Sequence, residues 1–278
     1  MSELTTVPEI GHRCELGSLR INYHDRGDGE PVLFIHGSGP GVSAWANWRT
    51  VIPQLESSLR IIAPDMIGFG YTDAPVTRFD IDAWTGELTA LLDALGIERC
   101  SVVGNSFGGA MALHLAERHP DRVEKLVLMG PAATPFTLTD GLDDVWGYEP
   151  SLEAMGHLLR DVFVYDGSAI SEDLVEMRYR ASTRPTVQER YAALFPAPRQ
   201  RWVDALSLSP DRLARIGQPT LIVHGRDDKV IPLEASRQLA AQLPDARLEV
   251  IDECGHWVQI EHTDRFCSLV DEFLGGPR

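Results

Sequence analysis

Basic residues are scarce in this 278-residue chain: 25 Lys and Arg stand against 41 Asp and Glu, a net charge of −16. Nucleic acids and anionic membrane surfaces are held by clustered Lys and Arg, so this balance argues against both as partners. A small anionic ligand stays compatible, because a few buried donors can override the global field locally. Cysteine is sparse as well. Cys14, Cys100, Cys254 and Cys267 are scattered and form no C-x-x-C pair, which argues against a disulfide framework and for reduced thiols. The nine histidines form no H-x-x-x-H or H-E-x-x-H pair, so no metal ion is expected. No apolar run approaches the ~20 residues that span a membrane. The opening Met-Ser-Glu-Leu-Thr-Thr-Val-Pro lacks the basic start and apolar block of a secretion signal. The expectation is a cytoplasmic, soluble protein.

What the chain does contain is an alternation of short apolar runs and helical patterns. Cys14–Leu16 and Leu19–His24 read as a hairpin around Gly17-Ser18. Pro31–His36, Arg60–Ala63, Cys100–Val103 and Val123–Met129 read as strands, with helices predicted over Trp45–Leu55, Ile81–Leu95 and the run after Ser106. From about Phe136 to Leu208 the strand signal disappears. Helical runs such as Leu152–Val162 and Glu172–Ala181 take over, punctuated by Pro150, Pro185, Pro196 and Pro198. Strand logic returns at Pro219–Gly225 and Arg247–Ile251, with helices over Leu233–Leu243 and Thr263–Leu274. The expected organisation is an α/β core over 1–135 and 209–278, interrupted by a helical cap over 136–208. Such an insertion, leaving from a strand's carboxyl end, would roof the crevice where α/β proteins bind ligands.

The most informative motif lies at one strand-to-helix junction, Gly104-Asn105-Ser106-Phe107-Gly108-Gly109. A serine in G-x-S-x-G at such a junction sits on a turn too sharp for bulky neighbours, with its hydroxyl exposed at the carboxyl edge of the sheet. A hydroxyl is a poor nucleophile until a base takes its proton and a carboxylate orients that base. His256, in Cys254-Gly255-His256-Trp257, and the pair Asp227-Asp228 each follow a predicted strand directly, in the chain order serine, acid, histidine. The residues alone leave both aspartates open. Two N–H donors are needed for an oxyanion. The amide of Phe107 is one candidate, and the glycine-rich loop His36-Gly37-Ser38-Gly39-Pro40-Gly41 offers the second, the amide of Ser38. No Lys-Ser/Thr follows that loop, which argues against a nucleotide.

These stretches, with Trp45, Asn47, Asp65-Met66-Ile67-Gly68-Phe69-Gly70 and Gly225–Pro232, resemble the meta-cleavage product hydrolases, carbon–carbon bond hydrolases of aromatic-ring degradation within the α/β-hydrolase superfamily. The resemblance spans nearly the whole chain. It implies an α/β-hydrolase fold, a mostly parallel twisted sheet flanked by helices with an inserted helical cap. It implies a 2-hydroxy-6-oxohexa-2,4-dienoate-type substrate, cleaved at C5–C6 to 2-hydroxypenta-2,4-dienoate and a carboxylic acid without a cofactor. It favours Asp228 as the acid of a Ser106, Asp228, His256 triad. It places Arg178 on the substrate carboxylate, with Gly37, Gly39, Asn47, Asn105 and Trp257 around the dienol, and it implies a homo-oligomer, a dimer or larger. Phe136, Leu138, Trp146, Phe163, Phe195 and Trp202 are candidate apolar lining for the 6-substituent, with a lean towards hydrogen, methyl or small alkyl. A carboxylesterase or other acyl hydrolase would use the same triad and is the alternative reading. Dehalogenases and epoxide hydrolases on this fold carry aspartate at the elbow, and Ser106 counts against them.

Overall fold

A computed structural model describes residues 7–73 and 79–275. Most of the N-terminal segment read above for a secretion signal lies outside these residues. Eight strands form one sheet: β1 (His12–Leu16), β2 (Leu19–Arg26), β3 (Glu30–Ile35), β4 (Leu59–Pro64), β5 (Cys100–Asn105), β6 (Val123–Met129), β7 (Thr220–Gly225) and β8 (Ala246–Ile251). Their order across the sheet is β1-β2-β4-β3-β5-β6-β7-β8. The β1–β2 hairpin turns at Gly17, whose φ of 63° suits glycine. Both pairings of β2 are antiparallel, and the strands from β4 to β8 pair in parallel.

The period-two pattern of the strands divides the core. Val32, Phe34, Val103, Val127, Met129, Leu221 and Val223 join one buried cluster. Their alternating neighbours Leu33, Ile35, Val102, Leu126, Leu128 and Ile222 join the other. The first face is closed by the helix Thr263–Leu274, which buries Phe266, Cys267, Leu269 and Val270, and by Trp48, whose ring stacks on Phe266 at 6.2 Å. The second is closed by helices including Phe107–Arg118, buried continuously from Phe107 to Ala116. With both faces covered, β5 and β7 are buried at every position, which is why they read as uninterrupted apolar runs.

Between β6 and β7 the chain is helical: Asp140–Trp146, Leu152–His157, Glu172–Ser182, Val187–Leu194 and Gln200–Leu206. The two ends of this excursion meet, with the Leu208 amide donating to the Ala133 carbonyl at 3.0 Å. Three of the five helices are capped by short polar residues: Thr139, Ser151 and Ser171 each accept an amide of the first turn.

Two expected helices are broken. Trp45–Leu55 divides into Ala44–Trp48 and Ile52–Leu55. Pro53 has no amide to donate to Arg49 and its ring crowds that carbonyl, so one continuous helix is excluded. The run over Leu152–Val162 changes at Leu158 into a π-turn, closed by the Phe163 amide on the Leu158 carbonyl at 2.9 Å. The wider turn shifts the following side chains around the axis. Leu159, within it, and Phe163, at its end, both face the cavity described next.

Candidate active site

Four strands deliver chemistry to one carboxyl edge. The loop after β3 carries Gly37, Ser38 and Gly39; β5 ends at Ser106; β7 leads to Asp228; and β8 leads to His256 and Trp257. Ser106 has φ 56° and ψ −114°, a left-handed, strained conformation for a residue with a side chain. Its geometry needs the flanking glycines. A Cβ at Gly104 would stand 2.4 Å from the Gly108 carbonyl oxygen, and one at Gly108 would stand 2.3 Å from the Ile35 carbonyl oxygen. The Ser106 hydroxyl caps no amide of its own helix, which leaves it to the cavity.

Of the two aspartates, Asp228 is the one the fold brings to the histidine: His256 Nδ1 and Asp228 Oδ2 lie 2.7 Å apart, with side-chain exposures of 4% and 1%. Asp228 Oδ1 accepts the amides of Val230 and Ile231 at 2.8 and 2.9 Å. Burial alone would raise the Asp228 pKa. The charge and hydrogen bond of His256 outweigh it, and the carboxyl sits below its ordinary range. This arrangement orients the imidazole with Nδ1–H towards the acid and Nε2 free as a base. Ser106 and His256 line the same cavity. Among the described residues no hydrogen bond joins the Ser106 hydroxyl to the His256 ring; such contacts commonly tighten only in the substrate complex.

That cavity is roofed by the helical excursion, which contributes Leu142, Val145, Met155, Leu159, Phe163 and Leu174 opposite the sheet edge. Arg178, from the helix Glu172–Ser182, reaches into it and is only 6% exposed. One of its nitrogens, Nη2, donates to the Pro40 carbonyl at 3.3 Å, whereas Nε and Nη1 have no partner. Burial lowers this guanidinium to about 10, still cationic at neutral pH. A buried cation with idle donors is a costly arrangement unless an anion completes it. Asn105 Nδ2 donates to Asn47 Oδ1 at 2.9 Å, and that oxygen also accepts the Gly37 amide at 3.3 Å. Asn47 Nδ2 and Asn105 Oδ1 are thereby left as one unpaired donor and one unpaired acceptor at the cavity wall.

A family model described as the alpha/beta hydrolase fold matches residues 30–263. A 2-hydroxymuconate semialdehyde hydrolase of Pseudomonas sp. (strain CF600) is 52% identical over 268 residues, covering 96% of this chain and 94% of that one. A 2-hydroxy-6-oxo-2,4-heptadienoate hydrolase of Pseudomonas putida is 53% identical over 267 residues, covering 96% of each. This chain belongs to the meta-cleavage product hydrolases. The structure of the meta-cleavage product hydrolase CumD from Pseudomonas fluorescens IP01, a serine-to-alanine variant complexed with acetates, matches with a TM-score of 0.94. It is 49% identical, and the match covers 96% of this chain and 98% of that one.

Within this meta-cleavage product hydrolase, Gly37, Ser38, Gly39, Asn47, Asn105, Ser106, Arg178, His256 and Trp257 all border the one cavity. Trp257 stacks on Phe163 at 4.6 Å with 9° between the rings, so its face is held by the roof. Phe107 is fully buried, and its amide opens the elbow helix, where amides have no intrahelical acceptor. Of the six apolar candidates only Phe163 lines the cavity; Phe136, Leu138, Trp146, Phe195 and Trp202 do not. Those five pack instead in or against the main core cluster. Sequence reasoning also missed Arg49 and Gln259, which line the cavity, and His224, whose Nε2 lies 3.4 Å from Asp228 Oδ2. His224 and Asp228 stand four residues apart, a spacing visible in the chain but uninformative in a loop. Desolvation lowers the His224 pKa, against the pull of the Asp228 charge beside it.

Proposed function

We propose that this protein hydrolyses the C5–C6 bond of 2-hydroxy-6-oxohexa-2,4-dienoate-type ring-cleavage products, releasing 2-hydroxypenta-2,4-dienoate and a carboxylic acid. The observation that carries the reading is a single roofed cavity that unites the Ser106 hydroxyl and the His256–Asp228 pair with a buried arginine offering two unpartnered N–H groups. An ordinary esterase has no need of that arginine. A dienol carboxylate supplies its anion.

In this reading Arg178 grips the substrate carboxylate, and Asn47, Asn105 and Trp257 border the dienol. The carbon–carbon bond has a poor leaving group until the 2-hydroxyl proton moves to C5, giving the keto tautomer. His256 Nε2 then takes the Ser106 proton as the oxygen attacks C6. The oxyanion faces the amides of Phe107 and Ser38. When the C5–C6 bond breaks, its electron pair enters the fragment as a dienolate conjugated to the 2-oxygen, which takes up the proton from His256. Water, deprotonated by His256, hydrolyses the acyl-serine and regenerates the hydroxyl. Gly37 and Gly39 keep the loop wall thin enough for the substrate to lie against it, and no cofactor takes part.

The helical cap spans 136–208 in this scheme, between core segments 1–135 and 209–278. The preferred 6-substituent is hydrogen, methyl or small alkyl, in keeping with the names of the two Pseudomonas relatives described above. A cytoplasmic homo-oligomer completes the reading, supported by family resemblance; no helix among the described residues is long and apolar enough to cross a membrane. The test is a panel of dienol acids differing at C6, followed by loss of dienol absorbance and compared with p-nitrophenyl esters. The highest kcat/KM is expected for a small 6-substituent. Faster turnover of the esters than of every dienol would overturn the reading in favour of an esterase.

A further inference from the structure

The Ser38 loop is held from above, by the cap, at the hydroxyl and the backbone carbonyl of Ser38. Trp146, from Asp140–Trp146, donates its indole N–H to Ser38 Oγ at 3.0 Å. The Tyr191 hydroxyl, from Val187–Leu194, lies 3.0 Å from the Ser38 carbonyl oxygen and 2.6 Å from that of Val145. Neither ring lines the cavity, and both are buried, at 3% exposure each. Burial keeps the Tyr191 phenol well above its ordinary value, so it remains an O–H donor. The same cluster reaches the other oxyanion candidate. Trp146 stacks on Phe195 at 4.4 Å and 14°, and Phe195 meets the Phe107 ring edge-on at 6.2 Å and 74°.

From this we infer that Trp146 and Tyr191 are positioning residues for the oxyanion hole: by fixing the hydroxyl and carbonyl of Ser38, the cap sets where its amide points. Two of the three polar groups of a peptide-bearing serine are thus tied to the cap, and the third is the one that chemistry would use. Oxyanion stabilisation depends on donors fixed before charge develops, so a loop left free to rotate would lose rate without losing ground-state affinity. The hole is then complete only when the cap is seated, which couples closure over the substrate to the capacity for acyl transfer. The inference rests on the proposed nucleophilic role of Ser106, though not on the identity of the substrate, since any acyl transfer at this serine uses the same hole.

The experiment compares Tyr191→Phe, Trp146→Phe, Ser38→Ala and the double variant Ser38→Ala/Trp146→Phe with wild type, on the preferred dienol acid and on a p-nitrophenyl ester. Tyr148→Phe is the control. It removes an equally interior cap phenol, which contacts Ser182 Oγ at 3.0 Å and leaves Ser38 untouched. For Tyr191→Phe and Trp146→Phe, kcat is expected to fall roughly 5- to 50-fold, less than the ~100-fold typical of deleting an oxyanion donor outright, with KM within about twofold. Inhibition by butylboronic acid, which forms a tetrahedral adduct at the serine, should weaken by a similar factor. The double variant should be no slower than Ser38→Ala, because Trp146 acts through that hydroxyl. The control should stay within about twofold in kcat. An unchanged kcat in both cap variants, a loss confined to KM, or multiplicative losses in the double variant would each overturn the inference. If a cap variant fails to fold, Ser38→Ala decides alone: unchanged kcat and unchanged boronate affinity would refute the tether. Absence of dienol turnover by wild type with ester turnover intact would refute the substrate assignment and leave this inference testable on the ester.

Discussion

Arg178 is the residue on which the substrate reading turns. Its burial and idle Nε and Nη1 donors are uneconomical for a structural arginine and natural for a carboxylate clamp. Arg178→Gln keeps a polar side chain of lesser reach and removes the charge. A loss in kcat/KM of about 30- to 1000-fold is expected for a dienol acid, following the ~2–4 kcal/mol typical of removing one partner from a buried charged pair. The methyl ester of the same acid should lose far less, so the preference for acid over ester should collapse. Equal losses on acid and ester would show that Arg178 serves the fold and not the carboxylate. The role was legible only by resemblance, because an arginine on a helix reads equally well as a solvated face; what the chain could not show was the depth to which the cap buries it.

At the scale of elements, the catalytic edge and the cap are pinned together by a buried histidine outside the active site. His114, on the elbow helix, places Nε2 3.0 Å from the Leu206 carbonyl oxygen of the last cap helix. Desolvation lowers its pKa to about 4, so it is neutral in the folded protein at neutral pH. Between about 6.5 and about 4 the unfolded chain therefore binds a proton at this site that the native state refuses, and stability contributed here falls as the medium is acidified. His114→Gln is expected to cost about 1–2 kcal/mol at pH 7.5, the scale of a buried hydrogen bond. Urea unfolding at pH 7.5 and 5.5 should show that deficit shrinking at the lower pH; a deficit that grows would contradict the neutral assignment. The sequence made the elements visible where one local rule governs them. β5 and the Ser106 elbow followed from an apolar run and glycine spacing, whereas the Pro53 break and the π-turn at Leu158 required weighing a single proline or a packing demand against a helical pattern. Likewise Asp228 was separated from Asp227 only by resemblance until the turn's amides and the His256 ring were in place.

At the scale of the whole molecule, a chain with net charge −16 surrounds a cavity whose wall carries the buried cation Arg178. Long-range repulsion and local attraction therefore oppose each other, and salt screens the first far more than the second. Raising ionic strength from about 10 to 200 mM should increase kcat/KM for a dienol carboxylate modestly, by about 1.5- to 4-fold, and leave a neutral p-nitrophenyl ester unaffected. A fall with salt for the anion would indicate a positive approach path that the composition does not foretell. The same scale explains the misassigned aromatics: Trp146, Phe195 and Trp202 were read as pocket lining, but the second layer of the cap claims them, and only Phe163 remains at the cavity.

All of this depends on one serine doing covalent work on a carbon–carbon bond. The decisive measurement is product analysis after mixing a small 6-substituted dienol acid with wild-type protein or with Ser106→Ala. Equimolar 2-hydroxypenta-2,4-dienoate and carboxylic acid are expected from wild type. From Ser106→Ala, substrate should still bind, with a dissociation constant within about threefold of the wild-type KM, and cleavage should fall by at least about 1000-fold. Cleavage by Ser106→Ala near the wild-type rate, or disappearance of the dienol without carbon–carbon scission, would contradict the assignment of Ser106 as nucleophile and with it the function proposed for the site.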